Sequence, residues 1–245
     1  MDIEGKRVLI TGASRGLGRT LAFTCAGAGA LEVIAGARKP EDLEALKADA
    51  DAIDAPLIPI KLDVTSDEEV RAAAQVGRVD ILINNAGFAG FGNPLNMNFE
   101  DIEREIDVNY FGVLRMVRAF APGMIERGEG MIVNVATIMA KVNLPIVGTY
   151  CATKAALLSL GQALRAYLGD KGVRVITVLP STIDTDMSRG ADVPKITKEF
   201  VAAEILKAIR DETHDPPIGD EARGVFEGLA KDPEGMERLL ASIRA

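Results

Sequence analysis

Short apolar runs alternate along this chain with longer stretches in which apolar residues recur at helical spacing. Arg7–Ile10, Leu31–Ala35, Leu57–Lys61, Asp80–Asn84, Met131–Ala136 and Val173–Leu179 predict strands. Between them, Gly16–Gly29, Glu41–Ala50, Asp67–Gln75, Phe99–Ile125 and Gly148–Leu168 predict helices. Strands that are apolar nearly end to end, in strict alternation with helices, predict a parallel α/β sheet covered on both faces. Beyond Leu179 the pattern loosens. Pro180–Pro194 reads as a polar loop, Lys198–Ile209 as a helix, and Pro217–Gly219 as a weakly signalled seventh strand. Glu221–Ala230 and Glu234–Ile243 read as two short helices. With no linker and no repeat, residues 1–245 read as one domain, in which 180–245 forms a substrate loop and C-terminal helices.

Composition narrows the function classes. The chain has 245 residues, 48% apolar and 26% charged, which is ordinary for a water-soluble enzyme. The net charge of −8 argues against nucleic acid as a partner, because phosphate binding needs clustered Lys and Arg. Zero Trp and 4% aromatics argue against a base-stacking surface. Two Cys and a single His, His214, offer no metal site, no disulfide framework and no Ser-His-Asp machinery. Met1–Lys6 lacks an apolar signal core, and no run reaches membrane-spanning length, so no membrane role and a cytoplasmic location are expected.

Two stretches carry candidate chemistry. Tyr150 and Lys154, four residues apart on a predicted helix, project from one side, one turn apart. Free Tyr titrates near about 10, and an adjacent ammonium favours the phenolate, so the pair could trade protons near neutral pH. Thr137, at the end of an apolar run, can offer a hydroxyl or can simply end a strand. The second stretch is Thr11-Gly12-Ala13-Ser14-Arg15-Gly16-Leu17-Gly18, between the first strand and a helix. Glycines there let the backbone turn sharply and approach a pyrophosphate, while the helix N-terminus favours an anion. No Gly-Lys-Ser/Thr follows, so a Walker-type loop is not supported.

Four separated motifs occur in order: Thr-Gly-x-x-x-Gly-x-Gly at 11–18, Asn84-Asn85-Ala86-Gly87, Asn109, and Tyr150-x-x-x-Lys154. Over roughly residues 5–190 the chain resembles the short-chain dehydrogenase/reductase family. The resemblance implies a Rossmann-type doubly wound parallel sheet in a three-layer α/β/α arrangement. It implies that Tyr150 is the catalytic acid/base. Lys154 would lower the pKa of that tyrosine and bind the nicotinamide ribose, and Asn109 would hold a water between Lys154 and solvent. Thr137, where the family usually has Ser, would orient the substrate oxygen. Gly12, Ser14, Arg15, Gly16, Leu17 and Gly18 would cradle the cofactor, with Asn85, Ala86 and Gly87 near the adenine ribose. Asp63, with Val64 beside it, would contact the adenine, although a strand-end Asp can equally be a cap. Pro180, Ile183 and Thr185 would lie at the carboxamide in the turn Pro180-Ser181-Thr182-Ile183-Asp184-Thr185, where Ser181 stands for the usual Gly. A homodimer or homotetramer through the helix bearing Tyr150 is also implied.

No acidic residue ends the second strand; Arg38 follows it, and Arg15 lies in the glycine loop. Two cations without a carboxylate favour NADP(H) over NAD(H), unless both are merely solvated. Only a short connection separates Met187 from the helix at Lys198, which suggests an open pocket. Phe88–Phe91, Ile138–Leu144 and Met187 could line it or belong to the core, which points to an apolar or aromatic carbonyl or alcohol. The expected activity is an NADPH-dependent carbonyl reductase. The alternatives are a nicotinamide-binding regulator without turnover, or an NAD(P)-linked epimerase or dehydratase.

Overall fold

The computed structural model describes residues 1–190 and 192–242. Ala191, inside the predicted loop, and Ile243, the last residue of the last predicted helix, lie outside the described residues.

Strands β1 (Arg7–Ile10), β2 (Glu32–Ala37), β3 (Leu57–Lys61), β4 (Ile81–Asn84), β5 (Gly130–Val135), β6 (Val173–Pro180) and β7 (Pro217–Ile218) form a single sheet in the order β3-β2-β1-β4-β5-β6-β7. Every pairing is parallel. The order reverses between β1 and β4, and such a switch point opens a crevice at the carboxyl ends of the strands. Alternate strand residues enter two separate groups of buried side chains, one on each face. Val8, Ile10, Val33, Ile83 and Val133 meet α1 (Gly16–Gly27), α2 (Pro40–Ala52) and α7 (Lys198–Asp211). Leu9, Ile34, Leu82, Ile132 and Val175 meet α3 (Asp67–Ala73), α5 (Val113–Arg127) and α6 (Gly148–Leu168). The arrangement is the three-layer, doubly wound α/β/α sheet expected from the sequence. α8 (Asp220–Lys231) and α9 (Pro233–Ala241) follow β7.

Most element bounds shift by one or two residues from expectation, and three stretches bear on the site. β2 runs on to Ala37, because Gly36 and Ala37 pair with Ile60 and Lys61 of β3. The helix predicted over Phe99–Ile125 is α4 (Phe99–Ile106), a wider π-helical turn over Asp107–Gly112, and then α5. Ile138–Leu144, open between pocket wall and core in the sequence, sends Ile138, Ala140 and Val142 into the core on the α6 face. No helix among the described residues is long and apolar enough to cross a membrane.

Candidate active site

A cleft of about 530 Å³ opens at the switch point. The glycine turn forms its floor, and Asn85 locks that turn in place. Its side-chain amide donates to the carbonyls of Thr11 at 2.9 Å and Gly12 at 3.2 Å. The Thr11 hydroxyl in return accepts the Asn85 and Ala86 N–H groups, each at 3.0 Å. Gly12 has φ +67°, and a Cβ there would stand 2.9 Å from the Ala86 Cα; a Cβ at Gly18 would overlap the Gly12 carbonyl. These two glycines are therefore required by protein packing, whatever else they do at the cleft. At Gly16 only Thr185 lies near, so this is the glycine that leaves the turn open to the cleft. Arg15 precedes α1 with no side-chain cap, so the first N–H groups of that helix have no side-chain acceptor. An anion fits there.

Gly12, Ser14, Arg15, Gly16, Leu17, Gly18, Arg38, Asp63, Val64, Asn85, Ala86 and Gly87 all line this cleft, as do Ile183 and Thr185. The extra length of β2 delivers Arg38 to its rim, exposed. Arg15 is also exposed and sits 3.4 Å from Asp186. Asp63 is engaged as a turn cap, accepting from the Thr65 N–H at 3.0 Å and the Thr65 hydroxyl at 2.8 Å, while still facing the cleft.

At the other end α6 contributes Tyr150 and Lys154. Lys154 is buried; its Nζ donates to the Val135 carbonyl at 2.9 Å and lies 5.7 Å from the Tyr150 ring centre. Loss of water pushes its pKa down to about 8. The expectation that Lys154 holds the phenol below its ordinary range is not met in this ligand-free chain. Loss of water dominates and pushes the Tyr150 phenol up, and the charges of Cys151 and Glu105 add to the rise.

Three expected site residues do not line the cleft. The Asn109 side chain is fully buried and spent on protein partners: it donates to the Phe88 carbonyl at 2.8 Å and to the Thr153 hydroxyl at 2.9 Å, and accepts from the Phe88 N–H at 3.0 Å. It holds the turn after β4 and leaves no amide hydrogen for a water. The Thr137 hydroxyl donates to the Pro180 carbonyl at 3.2 Å and accepts from the Met139 N–H at 3.3 Å. Pro180 ends β6, pairs with Ile218 and is buried. Ser181, next to it, is buried and packed against Gly219. Conversely, Arg104 reaches the lining, its guanidinium 4.2 Å above the Phe88 ring. Nothing in the motifs marked that residue. Phe88, Ala89, Phe91 and Met187, open between lining and core in the sequence, line the cleft.

The arrangement offers an uncapped helix N-terminus for a phosphate, cations at the rim, and an un-ionised phenol beside a buried ammonium at an apolar mouth. That set fits an elongated dinucleotide and a carbonyl or alcohol that exchanges a proton with Tyr150. Among the described residues no group of His, Cys, Asp and Glu could hold a metal ion. Residues 6–194 match the family described as short chain dehydrogenase. A short chain dehydrogenase of Burkholderia cenocepacia J2315, solved in complex with NADP, has a TM-score of 0.92 to this chain. It is 38% identical, with 99% of this chain and 100% of that one covered. The short chain dehydrogenase pigC of Monascus ruber is 36% identical over 202 residues, 78% of this chain and 67% of that protein. The 3-oxoacyl-(acyl-carrier-protein) reductase FabG of Thermotoga maritima is 31% identical, with 84% of both chains covered.

Proposed function

Because the chain belongs to the short-chain dehydrogenase family, we propose that it moves a hydride between NADP(H) and a carbonyl or secondary alcohol, with Tyr150 as the acid/base. The observation that carries this reading is the convergence of Tyr150 and Lys154 on the same cleft as the uncapped N-terminus of α1. When bound, the nicotinamide supplies or accepts the hydride. The work of this chain's residues is to hold the ligands and move one proton. The Tyr150 phenol lines the cleft and carries a proton at neutral pH that it can give to a carbonyl oxygen. The Lys154 ammonium uses one of its three N–H donors on Val135 and has others for a ribose hydroxyl. Thr137 reaches a substrate oxygen by turning its hydroxyl away from Pro180, and Asn109 serves by fixing Phe88.

NADP(H) over NAD(H) is supported by Arg38 at the end of a strand that carries no carboxylate there, and by the NADP bound to the Burkholderia relative. An apolar or aromatic carbonyl suits Phe88, Ala89, Phe91 and Met187 at the mouth. The same reading takes the chain as one domain, working as a dimer or tetramer in a reducing cytoplasm, where its two buried cysteines stay free thiols. The test is a panel of carbonyls and alcohols scored by NADPH absorbance, run beside Tyr150→Phe. The variant is expected to lose nearly all turnover and still bind the nucleotide. Unchanged turnover in Tyr150→Phe would overturn the assignment. Nucleotide binding with no turnover on any substrate would favour a regulator.

A further inference from the structure

Arg15 and Asp186 meet across the cleft that both line. Arg15 belongs to the glycine turn and Asp186 to the loop that follows β6, and their charged groups stand 3.4 Å apart. The two backbones are close there as well: a Cβ on Gly16 would lie 3.5 Å from the Thr185 Cγ2. The loop that carries the acid is braced from within. The Ser188 hydroxyl donates to the Ile183 carbonyl at 2.6 Å and accepts the Thr185 N–H at 3.3 Å. The Asp184 N–H donates to the Ile196 carbonyl at 2.9 Å. Asp186 takes no part in this bracing. Among the described residues its carboxylate meets only cations, Arg15 and, on its own turn, Arg189. An acid facing a cleft that takes phosphates works against their binding, and the loop gives no reason for one. Position matters as much as charge. Arg38 follows β2, and β1, β4 and β5 stand between β2 and β6. With strands about 4.8 Å apart, the ends of β2 and β6 are separated by roughly 19 Å. A guanidinium paired with Asp186 is therefore turned away from Arg38.

We propose that Asp186 is a positioning residue that sets cofactor specificity: it holds Arg15 on the β6 side of the cleft, and Arg15 must leave this pair to join Arg38 on a 2′-phosphate. This rests on the reading of NADP(H) as the cofactor. It adds that NADPH opens the Arg15–Asp186 pair, whereas NADH, which has no 2′-phosphate, leaves it closed. Asp186 keeps Arg189 as a partner when the pair opens. The acid thus weakens NADPH binding selectively, and it narrows the margin between the two nucleotides below what two free guanidinium groups would give.

Fluorescence titration with NADPH and with NADH reads both dissociation constants without turnover. Taking a negative charge out of the cleft helps any dinucleotide, so the informative quantity is the further gain for NADPH. In Asp186→Asn, at low salt, the NADPH constant is expected to fall about twofold to fivefold more than the NADH constant, the worth of an exposed ion pair. The difference should shrink as salt is raised. In Arg15→Gln, NADPH is expected to bind more weakly and NADH nearly as in the parent. Adding Asp186→Asn to that variant should help both nucleotides alike. Asp186→Glu keeps the charge and should bind as the parent does. Equal shifts for the two nucleotides in Asp186→Asn, or a selective gain that survives in Arg15→Gln, would overturn the proposal. A gain in Glu as large as in Asn would assign the effect to loop displacement and overturn it too. If Arg15→Gln binds NADPH as tightly as the parent, Arg15 has no phosphate role and the proposal falls with that role. A loss in Arg15→Gln without a selective gain in Asp186→Asn defeats the proposal alone and leaves the reading of NADP(H) standing.

Discussion

Arg38 and Lys154 make the cleft testable one side chain at a time. Arg38 takes part in no ion pair among the described residues, although Lys39 beside it pairs with Glu41 at 3.7 Å and Arg15 is held by Asp186. Its guanidinium is thus the freer one for a 2′-phosphate. Replacing it with Leu is expected to raise the KM for NADPH by about tenfold to a hundredfold, the worth of a charge-assisted hydrogen bond. The KM for NADH should barely move; equal losses for the two would refute a phosphate role. Lys154 makes a prediction about pH. Its pKa falls from 10.5 to about 8 on folding. Below pH 8 both states hold the proton, and the folded chain bears the full cost of burying the charge, on the order of 3 kcal/mol. Between 8 and 10.5 the unfolded chain holds a proton that the folded chain has released, so stability attributable to this residue rises with pH. Lys154→Met also strands the Val135 carbonyl, which offsets part of the gain. The expected outcome is a ligand-free protein about 1–2 kcal/mol more stable at pH 7, with the advantage fading toward pH 10, as read by denaturant unfolding. No gain at pH 7 would mean the ammonium sits there without cost.

At the level of elements, Gly161 shows how α6 is seated on the sheet. Asn84, Asn134 and Thr177 stand in register across β4, β5 and β6, and the Asn84 amide donates to Asn134 at 3.0 Å. A Cβ on Gly161 would overlap the Thr177 hydroxyl. In an exposed helix, Gly→Ala gains about 1 kcal/mol, but here the added methyl is expected to cost about 1–3 kcal/mol through overpacking. Thr177→Ala in the same chain should recover most of that loss, since the Thr177 hydroxyl has no protein partner; additive losses in thermal unfolding would exclude the contact. The same elements show what could be read beforehand. β1, β3 and α6 have the bounds that their apolar pattern predicts, because a short apolar run and a helical spacing are both local signals. The end of β2 is not legible locally, since Gly36 and Ala37 carry no strand signal and pair only with β3, 24 residues on. The π-helical turn at 107–112 left no mark in the spacing of its flanking helices. The cleft residues were legible as motifs. The directions of the Thr137 and Asn109 side chains were not, because their partners Pro180 and Phe88 are 43 and 21 residues distant.

On the scale of the whole molecule, the unspent surface is the outer face of α6. Ala152, Ala155, Ser159, Ala163 and Ala166 are exposed there at three- and four-residue spacing, on the 21-residue helix whose inner face carries Lys154. A helix face meant for water normally carries Lys, Glu and Arg; this one carries methyls, on a chain with a net charge of −8 and no shortage of charged residues. Small side chains let another backbone approach closely, and burying such a face would stiffen the helix that fixes Tyr150 and Lys154. The expected particle in light scattering is a multiple of 26.0 kDa. Ala155→Arg places a charged side chain at the middle of the stripe, and it should return the protein to a single chain with the cleft intact, so that NADPH still binds while turnover falls as α6 loosens. A parent that runs as a single 26.0 kDa chain at working concentration would show that the methyl stripe faces solvent and that the site needs no second copy to be rigid.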